Sequence, residues 1–461
     1  MYFHFIGIKG SGMASLACML KDLGNDVIGS DIDKHFFTED ELVKKGIKIL
    51  PFNKNNIKDN STVIIGNAFL EDHEEVKAAR ANKSCKCYRY HEYLGEFIKN
   101  YKSVGIAGSH GKTTTTTLAK TILSSFKKTG YLIGDGEGYI DKDSEFICIE
   151  ADEFRRHFCS YFVNYAVITN IEIDHIDYFK DENDYFNAYQ EFVDNVKECI
   201  IYNGDDSWCN KLDFKNKIHY SYGFGKDNDF VISNLSINEN KSSFDLVFKG
   251  IALYHFNLPI VQKHIISDAV SVIALGIALC IDSKHIETSL SNYVGPKRRF
   301  IIEHYKNSIF VDDYAHHPTE VKVTIEAAKE MFKDKKIIAI FKPHRASRVK
   351  YFVDDFVNAL KIADKVYLLD FTSIDDKQDG TDIDITFLAN KLNGSIILPE
   401  NEEGAKQLAD NKDAVFLFMS SKDIYNIANM CKKYLWFSYL MKINENYVRK
   451  NENFFIFMIY W

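Results

Sequence analysis

Short apolar runs alternate with segments of helical periodicity along most of the chain. Phe3–Ile8, Thr62–Ile65, Ser103–Ala107, Phe146–Glu150, Ala166–Asn170, Ser308–Val311, Ile337–Phe341, Lys365–Leu369 and Ala414–Met419 are each short, rich in β-branched or aromatic residues and bounded by polar or glycine positions. Such runs read as buried strands, and helical patterns between them imply βαβ units and parallel sheets, an α/β fold. Three blocks separate on this pattern: residues 1–98, 99–296 and 297–434. Within the second, Tyr220–Leu258 alternates apolar with polar residues and reads as antiparallel. Residues 435–461 break the alternation and form a tail of unknown role, ending in the aromatic run Phe454–Trp461.

Composition narrows the class without choosing a function. The 461 residues carry 57 Lys plus Arg against 65 Asp plus Glu, a net charge of −8, with 46% hydrophobic and 26% charged residues. These are values of an ordinary globular protein with several cores. No polybasic block marks a nucleic-acid or anionic-membrane surface, and no apolar stretch reaches the roughly 18 residues of a membrane span. Met1 runs directly into a strand-like segment, so the expected location is cytoplasmic. Nine scattered cysteines, with only Cys85 and Cys87 close together, read as reduced thiols rather than a disulfide frame or zinc site. A monomer or homodimer is expected.

Two glycine-rich loops carry the chemistry. In the first, Gly7, Gly10, Ser11 and Gly12 lie between a strand and a helix, and Asp31 ends the next strand. This arrangement suits a diphosphate at the helix N-terminus and a ribose hydroxyl at the acid. The spacing is G-x-x-G-x-G, with Lys9 where a dinucleotide fingerprint has its second glycine, so a tight turn without a ligand stays open. The second loop, Gly108-Ser109-His110-Gly111-Lys112-Thr113-Thr114, follows a strand and opens a threonine-rich helix. It is a P-loop, although Ile106 replaces the first glycine of the strict pattern. Backbone amides would cradle phosphates, Lys112 would neutralise their charge, and a threonine hydroxyl would hold Mg²⁺. Carboxylates end two downstream strands, at Glu150-Ala-Asp152-Glu153 and at Glu172-Ile-Asp174-His175-Ile-Asp177. One such cluster reads as a solvated loop; two, both following a P-loop, read as a Mg²⁺ site.

Taken together, GSHGKTTT, the strand ending in Glu150, and Thr169–Tyr178 resemble the ATP-dependent Mur ligases of peptidoglycan synthesis. HFIGIKGSGM with Gly29–Asp31, Val294–Phe300, DDYAHHPTE (Asp312–Glu320) and PHRASR (Pro343–Arg348) narrow the likeness to the branch adding the first amino acid. Glu153–Phe158 departs from the commoner E-S-D version and is similar to a second group within that branch. The resemblance spans residues 1 to about 434. It implies a Rossmann-like N-terminal domain, a central P-loop ATPase-like domain and a Rossmann-like C-terminal domain. It also implies ATP with Mg²⁺, and UDP-N-acetylmuramate and L-alanine as small-molecule substrates. ATP would phosphorylate the lactyl carboxylate, and the amine of alanine would displace phosphate from the acyl phosphate.

By matching motif positions, Lys112, Glu150 and His175 would be catalytic, with Thr113, Glu150 and His175 as metal ligands. ATP would meet the P-loop, Asp268, Arg299 and Asp313; UDP-sugar would meet Gly7, Gly10, Ser11, Gly12 and Asp31; and Tyr314, His316, His344, Arg345 and Arg348 would hold the amino acid. The guanidinium fork suits a free carboxylate, while from the residues alone two arginines equally form a solvated face. Four features depart from the family pattern. Asp268 stands for a usual asparagine; Lys342 and Ala346 stand for glutamine and an aromatic residue in the arginine motif; Ser420-Ser-Lys-Asp423 replaces a glycine turn; and the residues after about 434 have no counterpart. These keep alive a catalytically impaired relative that binds UDP-sugar and ATP without coupling them. A related ligase with a different amino-acid or peptide substrate also stands. A nicotinamide oxidoreductase would leave the P-loop unexplained.

Overall fold

A computed structural model describes residues 1–36, 38–134, 136–238, 241–296, 298–371 and 381–436. The tail beyond Trp436, with its aromatic run, lies outside the described residues. The chain divides into two compact units, Met1–Pro296 and Lys297–Trp461.

The first unit contains two sheets. Its five-stranded sheet is parallel, with Tyr2–Ile6 at the centre. On one side lie Asp26–Ser30 and Lys48–Leu50; on the other, Thr62–Ile65 and Lys86–Arg89. The strand order therefore reverses between Tyr2–Ile6 and Thr62–Ile65, and loops leaving their carboxyl ends border a crevice, the usual ligand position in an open α/β sheet. The central strand is buried from Phe3 to Ile6 because both faces are covered, which explains why it reads as a continuous apolar run.

The second sheet has ten strands. Its parallel core places Lys102–Ala107 between Phe146–Glu150 and Tyr165–Ile168. The antiparallel expectation for Tyr220–Leu258 needs correction at its start. Ile218–Gly223 runs parallel to Cys199–Asn203 and, through a short pairing at Tyr222 and Gly223, to Phe230–Ile237. Only Phe230–Ile237, Ser242–Phe248 and Ile251–Leu258 form an antiparallel meander. Alternation reports one covered face, whereas the direction of a neighbour depends on the connection. The helix Lys263–Ala278 supplies that cover, burying Ile266, Val270, Ile273 and Ala274.

The second unit carries a six-stranded sheet in which Ser308–Asp313, Val415–Met419, Ile337–Phe341 and Lys365–Leu368 are adjacent and parallel. Ile301–Tyr305 adds an antiparallel edge. Asp313, Lys342–Arg345 and Ser420–Lys422 thus all follow carboxyl ends of neighbouring strands. The α/β class, with three sheet-containing regions, agrees with the strand pattern.

Candidate active site

The P-loop occupies the carboxyl end of Lys102–Ala107. Gly108 has φ +146°, and a Cβ there would overlap Thr169 Oγ1, so glycine is required on backbone and steric grounds. The loop is tied to the neighbouring strand's end. Asn170 Oδ1 accepts from His110 N at 2.9 Å, and Thr169 Oγ1 donates to His110 O at 2.6 Å. Ser109 Oγ donates to Glu172 O at 2.6 Å and lies 2.8 Å from the Tyr185 hydroxyl. Helix Lys112–Phe126 starts at Gly111, and the amides of its first turn have no acceptors within the helix. Thr116, Thr117 and Thr121 hydroxyls donate to carbonyls four residues back, so much of the threonine run serves the helix itself. Thr113 stands half-buried in the first turn, next to Lys112, and Thr114 is buried.

Lys112 Nζ donates to Gly108 O at 2.5 Å, Ser109 O at 3.2 Å and Glu153 Oε2 at 2.8 Å. Burial alone would lower its pKa, but Glu153, Asp152 and Glu150 outweigh that effect and raise it, keeping the ammonium charged. Glu153 is 2% exposed and also reaches His175 Nε2 at 3.5 Å through its other oxygen. His175 takes a left-handed backbone, φ +52°, and its amide donates to Asp174 Oδ1 at 2.7 Å. Asp152, Glu153 and His175 each offer a ligand atom within 4.8 Å of the others. Two carboxylates and an imidazole suit a divalent cation, with the carboxylates as the oxygen donors that Mg²⁺ favours. Burial raises the Asp152 pKa, but His157, Lys112 and His175 more than reverse this, bringing it to about 2.

Glu150, expected as a ligand, ends the strand Phe146–Glu150 beside this set. Its Oε1 accepts from Gly134 N at 2.6 Å, although its charge still acts on Lys112. Asp268 is buried beside the P-loop, where a Cβ on Gly111 would stand 3.0 Å from its Oδ2.

In the first sheet, Gly7 has φ +83°, and the Phe69 ring lies where its Cβ would be. Gly10 caps the helix Ser11–Asp22, which includes Gly12. One Asp31 oxygen faces the loop backbone, Oδ2 accepting from Lys9 N at 2.7 Å, while Oδ1 accepts from the next amide, Ile32 N, at 2.8 Å. Asp31 thus braces the glycine loop. Lys9 is 7% exposed, bonded to the carbonyls of Ile32 and Lys34 and paired with Glu39 at 2.9 Å. That contact explains a lysine where the fingerprint has glycine.

In the second unit, Asp313 accepts from Phe300 N and Ala315 N, both at 2.8 Å. Burial pushes its carboxyl up to about 6, against the opposing pull of Arg299. The Arg299 guanidinium lies 4.9 Å from the centre of the Tyr314 ring and 3.7 Å from Glu320. His316 Nδ1 is 3.0 Å from Glu320 Oε2. Arg345 has φ +67° and precedes the short helix Ala346–Tyr351, so Arg345 and Arg348 do not share a regular helical face. They are nevertheless brought together: burial, then Lys422, His316, Arg348 and Arg345, hold the His344 pKa down to about 2. Arg348 is itself buried and donates to His344 O at 3.3 Å. This cationic group suits a small carboxylate. Lys422, noted in the sequence only as part of an altered turn, joins it.

Sequence reasoning also missed Asp152, Glu153, His157 and Asn67 as a set. The acid run is visible in the sequence, but its convergence on Lys112 and on a histidine seven residues from Glu150 arises only from the fold.

Three family models match the chain in succession: the Mur ligase catalytic domain over residues 2–102, the Mur ligase middle domain over 106–276, and the Mur ligase glutamate ligase domain over 298–421. Among solved structures, a UDP-N-acetylmuramate–alanine ligase from Thermotoga maritima is 25% identical with TM-score 0.76, covering 94% of this chain and 99% of its own. A murein peptide ligase from Psychrobacter arcticus is 20% identical with TM-score 0.69, over 94% and 98%. A pseudomurein peptide ligase from Methanothermus fervidus is 19% identical with TM-score 0.60, over 94% and 98%.

Proposed function

Starting from the chain's membership of the Mur ligase family of ATP-dependent ligases, we propose that it joins L-alanine to the lactyl carboxylate of UDP-N-acetylmuramate, with ATP cleaved to ADP and phosphate. The observation that carries this reading is the likeness to the alanine ligase over 99% of that chain. The small cationic cluster of Arg345, Arg348 and Lys422 around His344 supports it.

Each unit has a defined part in the reaction. The P-loop amides and Lys112 bind the phosphates of ATP, and Lys112 offsets the charge that grows on the transferring phosphoryl group. Carboxylates at the ends of the strands flanking the P-loop, together with His175 and Thr113, would hold Mg²⁺, which would supply further charge neutralisation. The crevice bordered by Gly7, Gly10, Ser11 and Gly12 takes the UDP moiety. Asp31 acts there by fixing the loop. Arg299 and Asp313 serve the nucleotide. Arg345 and Arg348 engage the alanine carboxylate, with Tyr314, His316 and His344 around it. The protein acts in the cytoplasm, where these substrates are available.

The test is phosphate release from Mg-ATP with and without UDP-N-acetylmuramate, across a panel of L-amino acids and a murein-type tripeptide. Release requiring both the sugar nucleotide and L-alanine is expected. Release with the tripeptide alone would reassign the acceptor chemistry to a peptide ligase. No release, with both nucleotides still bound, would identify a relative that no longer couples them. Arg345→Ala should raise the KM for alanine far more than that for ATP, and Lys112→Ala should lower kcat by about 10²–10³.

A further inference from the structure

The segment Phe154–Ser160 is irregular, and two consecutive residues, Arg155 and Arg156, adopt left-handed backbone with φ +50° and +60°. Such conformations cost about 1–3 kcal/mol each and persist where surrounding contacts impose them. Here Arg156 is held by helix Glu182–Asn195. Its guanidinium donates to Asp184 Oδ1 at 2.6 Å and to Glu191 Oε2 at 3.2 Å. The result is that the next residue, His157, is turned inward and left 5% exposed.

His157 stands between two loops from different sheets. Asn67 Nδ2 donates to its Nε2 at 3.0 Å, which leaves the proton on Nδ1. Nδ1 faces Asp152 Oδ2 at 3.6 Å. The His91 ring stacks on the His157 ring, with centroids 4.6 Å apart and planes 14° from parallel. Phe154 packs against both His157 and His175. His91 Nδ1 is a buried atom with no hydrogen-bond partner among the described residues.

The placement of the two ends gives this chain its meaning. Asn67 follows strand Thr62–Ile65 at the reversal of strand order in the first sheet. Two residues on, Phe69 lies against Gly7 of the glycine loop. Asp152 belongs to the carboxylate set around Lys112. A ligand in the crevice that shifts Asn67 therefore acts on the orientation of Asp152 through one imidazole.

We propose that His157 is a positioning residue that couples the nucleotide-sugar crevice of the first sheet to the phosphate-binding centre, through the chain Asn67–His157–Asp152 backed by His91. This rests on the crevice taking the UDP-linked acceptor, as argued above. The coupling works in both directions, since binding free energies are reciprocal. Its chemical purpose is to orient the carboxylates around Lys112 when the acceptor is present.

The experiment measures, by titration calorimetry on the full chain, the affinity for UDP-N-acetylmuramate with and without a saturating non-hydrolysable ATP analogue and Mg²⁺. In the wild type, one ligand should strengthen the other at least fivefold. His157→Ala and Asn67→Ala should each reduce this factor below twofold while leaving each ligand's affinity on its own within about twofold. The double variant should be no worse than either single variant, because both remove the same link. Asn67 is half-buried, so Asn67→Ala keeps the test valid if His157→Ala fails to fold. An unchanged factor in the Asn67 variant, additive losses, equal weakening of both ligands with the factor intact, or no coupling in the wild type would each overturn the proposal. Coupling that is lost in these variants, in a chain that fails to join alanine, would refute the proposed reaction and leave the inference standing.

Discussion

Replacing Glu153 by glutamine tests the electrostatics around Lys112 with almost no change in shape. Glu153 is 2% exposed, and its carboxylate lies 2.8 Å from Lys112 Nζ. At an effective dielectric constant near 20, that separation corresponds to about 6 kcal/mol of gross attraction. Most of this repays the cost of taking both charges out of water, and a hydrogen bond to a charged group nets about 1.5–3 kcal/mol. The glutamine oxygen still accepts from Lys112, so a loss within this range is expected. For a cooperative unit spanning Met1–Pro296, the usual unfolding entropy per residue converts it into a melting-temperature drop of about 2–5 °C.

The informative comparison is with nucleotide bound. Phosphate oxygens bring a replacement negative charge to Lys112, so the difference between variant and wild type should shrink when a non-hydrolysable ATP analogue is added without Mg²⁺. Adding Mg²⁺ should then favour the wild type, because the variant has lost a carboxylate from the Asp152–Glu153–His175 set. Scanning calorimetry under the three conditions checks each step. Equal melting temperatures without nucleotide, or a difference that nucleotide leaves untouched, would refute the pairing of Glu153 with Lys112 as the controlling contact.

Three further outcomes follow from the same geometry. Gly108→Ala would place a Cβ onto Thr169 Oγ1 at φ +146°, and calorimetry should show nucleotide affinity falling by more than about tenfold, near 1.4 kcal/mol. Asp268→Asn removes a negative charge beside Gly111; binding of the ATP analogue should strengthen by about 1 kcal/mol, and unchanged or weaker binding in the same titration would count against a repulsive role. Asp313 has a folded-state pKa of about 6 against an ordinary 3.8, so the folded unit holds the proton more tightly than the unfolded chain. Its contribution is present below about pH 4 and is lost as pH rises to about 6, by at most about 3 kcal/mol. Urea unfolding across that window should show this slope in the wild type and not in Asp313→Asn.

Parallel strands were legible because burial on both faces makes them continuous apolar runs, as in Phe146–Glu150, Ile337–Phe341 and Val415–Met419. The glycine loops were legible because few residues other than glycine tolerate the backbone that Gly7 and Gly108 adopt. What escaped is whatever depends on residues from different elements meeting. The parallel pairing of Ile218–Gly223 is set by its neighbours, not by its own alternation. Asp31 has the expected position after its strand, but its contact with the amide of Lys9, 22 positions away, had no signal in the sequence. The Asn67–His157–Asp152 chain joins residues as far as 90 positions apart, and no spacing rule carries such a pairing.

The departures in the second unit bear on whether the chain still couples its ligands. Lys342, where the family has glutamine, is 5% exposed, and its ammonium is held by Glu400 at 2.8 Å and by Asp423 O at 2.9 Å. The substitution therefore came with partners. The turn Ser420–Lys422 lacks the usual glycines, but Arg298 donates to the carbonyls of Ser420 and Lys422 at 2.7 and 3.1 Å, and Lys422 N donates to Ser420 Oγ. Ser420 N in turn donates to Asp313 O, which links this turn to the residue expected at the nucleotide. A buried ammonium without partners is costly, so Lys342 at this position requires the carboxylate and carbonyl that hold it. Lys342 and the turn Ser420–Lys422 each have specific polar partners, and Lys422 adds charge to the cluster around His344. These contacts fit the proposed ligase reaction with a rebuilt loop, and Asp268, buried beside Gly111, is the departure nearest the P-loop.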